Sequence, residues 1–189
     1  KAPVPVTEEA VPDKIHQLQQ RAEKGVPEAQ HDLATLYASG KIVTQDYIQA
    51  IHWFEKAADG GVANAAYNLG VMSQQGLGMS KDVTKAINWY QKAADMGHPE
   101  AMYNLGIAYI EGVGVSRNPQ KGISFFKKAA NAGVSQAAFN LGVLYESDFI
   151  GSPDPKKALE WYEIAANAGH TEAQQAVDKV TGLVERHGV

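Results

Sequence analysis

A unit of 36 residues recurs four times without insertion, over 29–64, 65–100, 101–136 and 137–172. Leu33, Leu69, Leu105 and Leu141 form one column. Trp53, Trp89, Phe125 and Trp161 form a second, and the pairs Ala57-Ala58, Ala93-Ala94, Ala129-Ala130 and Ala165-Ala166 a third. Gly61, Gly97, Gly133 and Gly169 close the copies. A period of this length means stacked supersecondary units, each unable to bury its apolar face alone. It constrains the fold strongly and the function only by class, because such arrays bind partners rather than carry one fixed chemistry.

Each copy reads as two helices. In copy one Ala29, Leu33, Leu36 and Tyr37 recur at i, i+4, i+7 and i+8, the mark of a helix with one buried face. Gly40, Gly76 and Gly112 stand where a helix ends in the left-handed region. Asp46, Asp82, Asn118 and Asp154 then offer N-caps for the second helix, and Pro119 and Pro155 follow two of them at N1. Ala50, Ala86, Gly122 and Ala158 let helices approach closely, and the Trp/Phe column is expected to wedge against the following copy. In copy four Asp148 replaces the glycine, so a different cap is expected there. The links GVAN, GHPE, GVSQ and GHTE are short enough to force antiparallel neighbours.

The ends read as caps. Residues 11–28 hold a lone half-repeat, with Ile15, Leu18, Ala22 and Gly25 in register with Ile51, Phe54, Ala58 and Gly61. From 173 to 189 a fifth first helix begins, with Ala173 and Val177 in register with Ala137 and Leu141. Residues 1–10, with Pro3 and Pro5, read as a flexible N-terminal segment. Residues 11–189 then make one repeat domain, all-α and right-handed, an α/α solenoid of ten helices.

Copies two and three carry A-x-x-x-L-G-x-x-Y, G-x-G and D-x-x-K-A-x-x-W-Y-x-K-A-A-x-x-G almost whole. The matching residues are Ala65, Leu69, Gly70, Gly76, Gly78, Asp82, Lys85, Ala86, Trp89, Tyr90, Lys92, Ala93, Ala94 and Gly97, then Ala101, Leu105, Gly106, Tyr109, Gly112, Gly114, Lys121 and Gly133. The pattern resembles the Sel-1-like repeat family over about 11–181. Departures are local: Ala34, Ser73, Gly122 and the 148–151 loop. The resemblance implies a tetratricopeptide-like α/α solenoid, adaptor roles in bacterial envelopes or host interaction, and, for some members, immunity against a secreted toxin. A cysteine-rich branch linked to β-lactam binding is argued against, because this chain has no cysteine.

Composition narrows the function further. A net charge of −4 argues against nucleic acid as a partner. No apolar run reaches the roughly 18 residues of a membrane span. The six histidines show no i, i+4 pair with a third ligand near, so no metal is expected. His98 and His170 share one column at the turn between copies, where a structural role is expected. The G-x-G pieces follow a helix rather than a strand, which removes a dinucleotide reading. No catalytic constellation emerges, so no enzyme and no cofactor is expected. A hydrolase acting on cell wall or β-lactam remains the contrasting alternative. The proline-containing start resembles the tether that follows an export signal, so a periplasmic or secreted location is expected, with cytoplasmic as the alternative. A monomer is expected.

Candidate binding residues lie on the first helices. With Leu69 at zero on a wheel of about 100° per residue, Ala65, Ala66, Met72 and Ser73 fall within about 60°. Tyr67 and Val71 fall about 160–200° away, where polar residues belong. The column instead reads Tyr67, Tyr103, Phe139, then Val71, Ile107, Val143 one turn later, with Gln74 and Ile110 beyond. One reading makes these residues an apolar strip that holds a protein partner in a concave groove. The other has them half buried between neighbouring helices. Asn68, Asn104 and Asn140 run beside them and are expected to bond loop backbone.

Overall fold

The computed structural model describes residues 10–187, with side chains from Asp13 to Glu185. The proposed segment 1–10 lies outside the described residues except for Ala10, which opens a helix. Among the described residues there are ten helices and no strand. The chain divides into two compact units at Met96/Gly97. The first holds α1 (Ala10–Glu23), α2 (Pro27–Ser39), α3 (Tyr47–Asp59), α4 (Ala63–Gln75) and α5 (Val83–Asp95). The second holds α6 (Pro99–Glu111), α7 (Pro119–Asn131), α8 (Ser135–Glu146), α9 (Pro155–Asn167) and α10 (Ala173–His187). Within each unit every helix packs on the next in chain order, as a stack of helical hairpins does. The half-repeat α1 packs on α2, and α10 on α9.

Local chemistry sets the helix ends. Asp46, Asp82, Asn118 and Asp154 each accept the backbone N–H three residues on, at 3.0, 2.9, 3.1 and 3.0 Å. That satisfies one of the donors a helix start leaves unpaired. Gly40, Gly76 and Gly112 end α2, α4 and α6 with φ of 63°, 74° and 76°, a region costly for a residue with a Cβ. Copy four lacks that glycine and ends α8 one residue early. Ser147 is extended there (φ −93°, ψ 167°). Its Oγ donates to the Leu144 carbonyl at 2.9 Å and accepts from Phe149 N at 3.3 Å.

The histidine column caps helices as well. The buried His98 accepts the Ala101 N–H on Nδ1 at 3.2 Å. The same nitrogen lies 3.4 Å from Glu100 Oε2. It cannot both accept the backbone proton and donate to that carboxylate, and burial favours the neutral, accepting ring. Burial lowers the His98 pKa, against the opposing pull of Glu100. His170 accepts from Glu172 N on Nδ1 at 3.3 Å and bonds Gln136 Oε1 through Nε2 at 3.0 Å.

In copies two, three and four the core of the hairpin is a ring laid on a glycine. A Cβ added to Gly70 would sit 2.5 Å from Tyr90 Cε1. At Gly106 it would sit 2.4 Å from Phe126 Cδ1, and at Gly142 2.5 Å from Tyr162 Cδ1. Leu33, Leu69, Leu105 and Leu141 are sealed beside these contacts.

The tryptophan column departs from expectation. Trp53 packs on the cluster of Ala22, Ala29 and Leu33, so it turns toward the preceding elements rather than the following copy. Helical spacing places a side chain on a flank; the stacking order decides which neighbour that flank meets. Lys56, Lys92 and Lys128 cover the Trp53, Trp89 and Phe125 rings at 5.4, 5.3 and 5.4 Å.

Gly106→Ala is expected to destabilise by about 1–3 kcal/mol, because overpacking outweighs the smaller gain in helix propensity. The urea midpoint measures it. Copy one carries Ala34 in this column, so the cost arises from a methyl forced onto a ring already seated. For His98, a folded pKa below the unfolded value near 6.5 means its stabilising share is full above about pH 6.5 and is lost as pH falls through the folded value. His98→Val, the residue type of Val62 and Val134, is expected to flatten the acid side of a stability-against-pH series.

Candidate functional site

The aromatic column on the first helices meets the ring column on the second helices in every copy. Ring centroids are 5.6 Å apart for Tyr67–Tyr90, 5.7 Å for Tyr103–Phe126 and 5.4 Å for Phe139–Tyr162. His31 holds the same place against Phe54 at 5.7 Å. Phe139 is also stacked on His170, at 4.2 Å and 8°. Tyr67, Tyr103 and Phe139 are half-buried. A wheel with one buried face puts them in solvent; a first helix inside a stack has neighbours on more than one side.

One turn further, the first helices open into clefts. In the first unit, a cleft of about 290 Å³ is lined by Thr35, Ala38, Ser39, Tyr47, Phe54, Asn68, Val71, Met72 and Leu77. In the second unit, one of about 150 Å³ is lined by Ile107, Ile110, Glu111, Phe126, Asn140, Val143 and Leu144. Thr35, Ala38, Ser39, Phe54, Asn68, Val71 and Met72 correspond, two copies on, to all seven residues of the second lining. The two clefts are one structural position seen twice. Each lies between successive first helices, against the phenylalanine of the second helix. Val143 is 44% exposed, which leaves the second cleft open to solvent.

Of the eight sequence candidates, Val71 lines the first cleft, and Ile107, Ile110 and Val143 line the second. Tyr67, Tyr103 and Phe139 pack beside the clefts on the ring column. Gln74 is exposed, and its Oε1 accepts the Tyr90 hydroxyl at 2.7 Å. Asn140 does not bond loop backbone as expected. It accepts from Gln136 Nε2 at 3.0 Å and donates to the Tyr103 hydroxyl at 3.4 Å.

Phe54 and Phe126 were missed, yet two columns carry their signal. The ring column reads Phe54, Tyr90, Phe126, Tyr162. The column sixteen residues earlier reads Ala38, Gln74, Ile110, Glu146. Each tyrosine faces a polar residue and each phenylalanine an apolar one. Tyr162 donates to Glu146 Oε2 at 2.8 Å. Both clefts lie against a ring that has no hydroxyl.

Glu146 also receives Lys179 Nζ on its other oxygen. Burial alone would raise its pKa; hydrogen bonds from Lys179 and Tyr162, with the lysine charge, outweigh that and lower it. Burial, then the Glu146 contact, raises the Tyr162 pKa. Among the described residues no group of His, Asp or Glu could hold a metal ion, and no helix is long and apolar enough to cross a membrane.

The family described as Sel1 repeat matches residues 27–62, 63–98, 99–134 and 135–170. Those windows start two residues ahead of the sequence phase, with the same period. A protective antigen present in uropathogenic Escherichia coli strains, displaying an SLR fold, is 36% identical with a TM-score of 0.79. That alignment covers 84% of this chain and 34% of the other, so this chain spans about a third of that protein. A Sel1 repeat protein from Oxalobacter formigenes is 31% identical with a TM-score of 0.81, over 86% of this chain and 67% of the other. Immunity protein Pa5087 from Pseudomonas aeruginosa is 27% identical with a TM-score of 0.53, over 84% and 59%. No curated protein matches the chain.

Glu146→Ala is expected to cost about 1–3 kcal/mol, because the half-enclosed Tyr162 hydroxyl and Lys179 lose their acceptor. In that background Tyr162→Phe should cost less than it does alone, a coupling that a double-mutant cycle measures. A lowered carboxylate pKa gives stability that is present above the unfolded value near 4.3 and lost as pH falls through the folded one. The Glu146→Ala penalty should therefore shrink in acid.

Proposed function

The chain belongs to the Sel1 repeat family, and from that premise we propose that it is a non-enzymatic adaptor that holds a protein partner on the first-helix side of its repeats. Sel1 repeat proteins are protein-interaction modules. The observation that carries the reading is the apolar cleft repeated two copies apart. Val71 sits in one instance; Ile107, Ile110 and Val143 sit in the other. Apolar recesses with a few polar groups at the rim, here Asn68 and Asn140, accept side-chain anchors of a partner. The half-buried tyrosines beside them stiffen the surface, which lowers the entropy lost on binding.

We also infer a setting in the bacterial envelope or at the host interface, periplasmic or secreted. The relative described as a protective antigen supports this. Within the same class, an immunity role is the second reading. It is favoured by the 27% identity to a protein described as an immunity protein, over 84% of this chain. In that role the clefts would hold a toxin rather than an assembly component.

Affinity capture from the source cell, read by mass spectrometry, tests the proposal with two baits. A protein retained by the wild-type chain is expected to be lost by Val71→Glu/Val143→Glu at unchanged melting temperature. Equal retention by both baits would place binding elsewhere. Rescue of cells that express the captured protein would select the immunity reading.

A further inference from the structure

The second unit carries a surface that the clefts do not use. From Gly112 to Tyr145 the chain holds Arg117, Lys121, Lys127 and Lys128 and no Asp or Glu. The other second helices mix signs: Glu55 and Asp59 on α3, Asp95 on α5, Glu160 and Glu163 on α9. Among the described residues three lysines outside this stretch are ion-paired: Lys92 with Asp59, Lys157 with Asp154 and Lys179 with Glu146. Among the described residues none of the four cations of this stretch has an ion-pair partner.

Each of the four sits instead over an aromatic ring. Arg117 lies 4.6 Å from Phe149 and Lys121 4.4 Å from Tyr109; Lys128 lies 5.4 Å from Phe125 and Lys127 5.9 Å from Tyr145. Arg117 Nε also donates to the Ile110 carbonyl at 3.1 Å. A ring beneath a cation holds it in place without neutralising it, so its remaining donors face outward. Gly122, Ile123, Phe125, Phe126, Ala129 and Ala130 are the buried side of α7, which leaves the three lysines on the solvent-facing arc.

We propose that the outward face of α7 is a docking surface for an acidic segment of a partner protein. Charge complementarity identifies the occupant. A cationic, acid-free helix on a chain of net charge −4 is a local attractor in a field that repels anions elsewhere. Lys121 and Lys128 are two turns apart, about 10.5 Å along the axis. That distance fits carboxylates three residues apart in a polyproline II segment, which has three residues per turn and rises about 3.1 Å per residue. A long polyanion such as nucleic acid would run off this single helix onto acidic surface.

The test uses the whole chain and a fluorescein-labelled oligo-glutamate peptide, followed by fluorescence anisotropy at low ionic strength. Wild type is expected to bind, with affinity falling as salt rises. Lys121→Gln/Lys127→Gln/Lys128→Gln should weaken binding by about tenfold or more. Lys56→Gln/Lys85→Gln/Lys92→Gln, with the same charge change in the first unit, should leave it within about twofold of wild type. The proposal is overturned if wild type does not bind or if both triple variants lose affinity equally. Tighter binding of a single-stranded oligonucleotide, or of phosphatidylserine vesicles, through the α7 lysines would overturn it too.

Discussion

The contact on which the hairpins of copies two, three and four depend is an aromatic ring lying against a glycine of the facing helix. At Gly70, Gly106 and Gly142 a methyl group would overlap the Tyr90, Phe126 or Tyr162 ring. A ring that rests against backbone sets how closely the two helices of a copy approach and where the ring edge ends. Everything one turn along the first helix is then built around that edge. The first-helix aromatic rests on it, the leucine column seals behind it, and the cleft or the polar contact forms beyond it.

This contact explains how equivalent copies come to present different surfaces. Where the ring is tyrosine, its hydroxyl is delivered to a fixed point at the edge of the core and needs an acceptor, which Gln74 and Glu146 supply. Where the ring is phenylalanine, the same point needs only apolar neighbours, and Ala38 and Ile110 stand there. Ile110 also takes the space that a Cβ at position 122 would fill, at 2.7 Å, which accounts for Gly122 in a column that is otherwise alanine. A single oxygen atom on the ring thus selects residues sixteen positions away in the chain. Copies one and three become apolar at this position and copies two and four polar.

The repeat, the helix count, the second-helix caps and the glycine stops were legible in the sequence because each depends on residues within one turn of one another. Asp82 caps Lys85 by local geometry whatever surrounds it. The family resemblance was legible for the same reason, since its columns are these local devices repeated. What was not legible depends on who the neighbour is. Trp53 was placed on the correct flank but against the wrong side. Asn140 was assigned to loop backbone when a tyrosine hydroxyl from the preceding copy stood within reach. Tyr67, Tyr103 and Phe139 were left between an exposed strip and half-burial among neighbours, because a helical wheel allows one buried side and could not choose; they are half-buried.

The clefts sharpen the reading of that strip. A strip of exposed aromatics would offer a flat, sticky face, and such faces discriminate poorly among apolar partners. Rings packed on rings leave fewer exposed apolar atoms but hold them in fixed positions, with a recess at a set distance and an amide at its rim. Specificity comes from the mismatch cost when a wrong side chain leaves a polar rim unpaired or a recess unfilled. The aromatic column therefore serves recognition by being partly buried: it keeps Val71 and Val143 at the mouths of recesses whose shape Phe54 and Phe126 define.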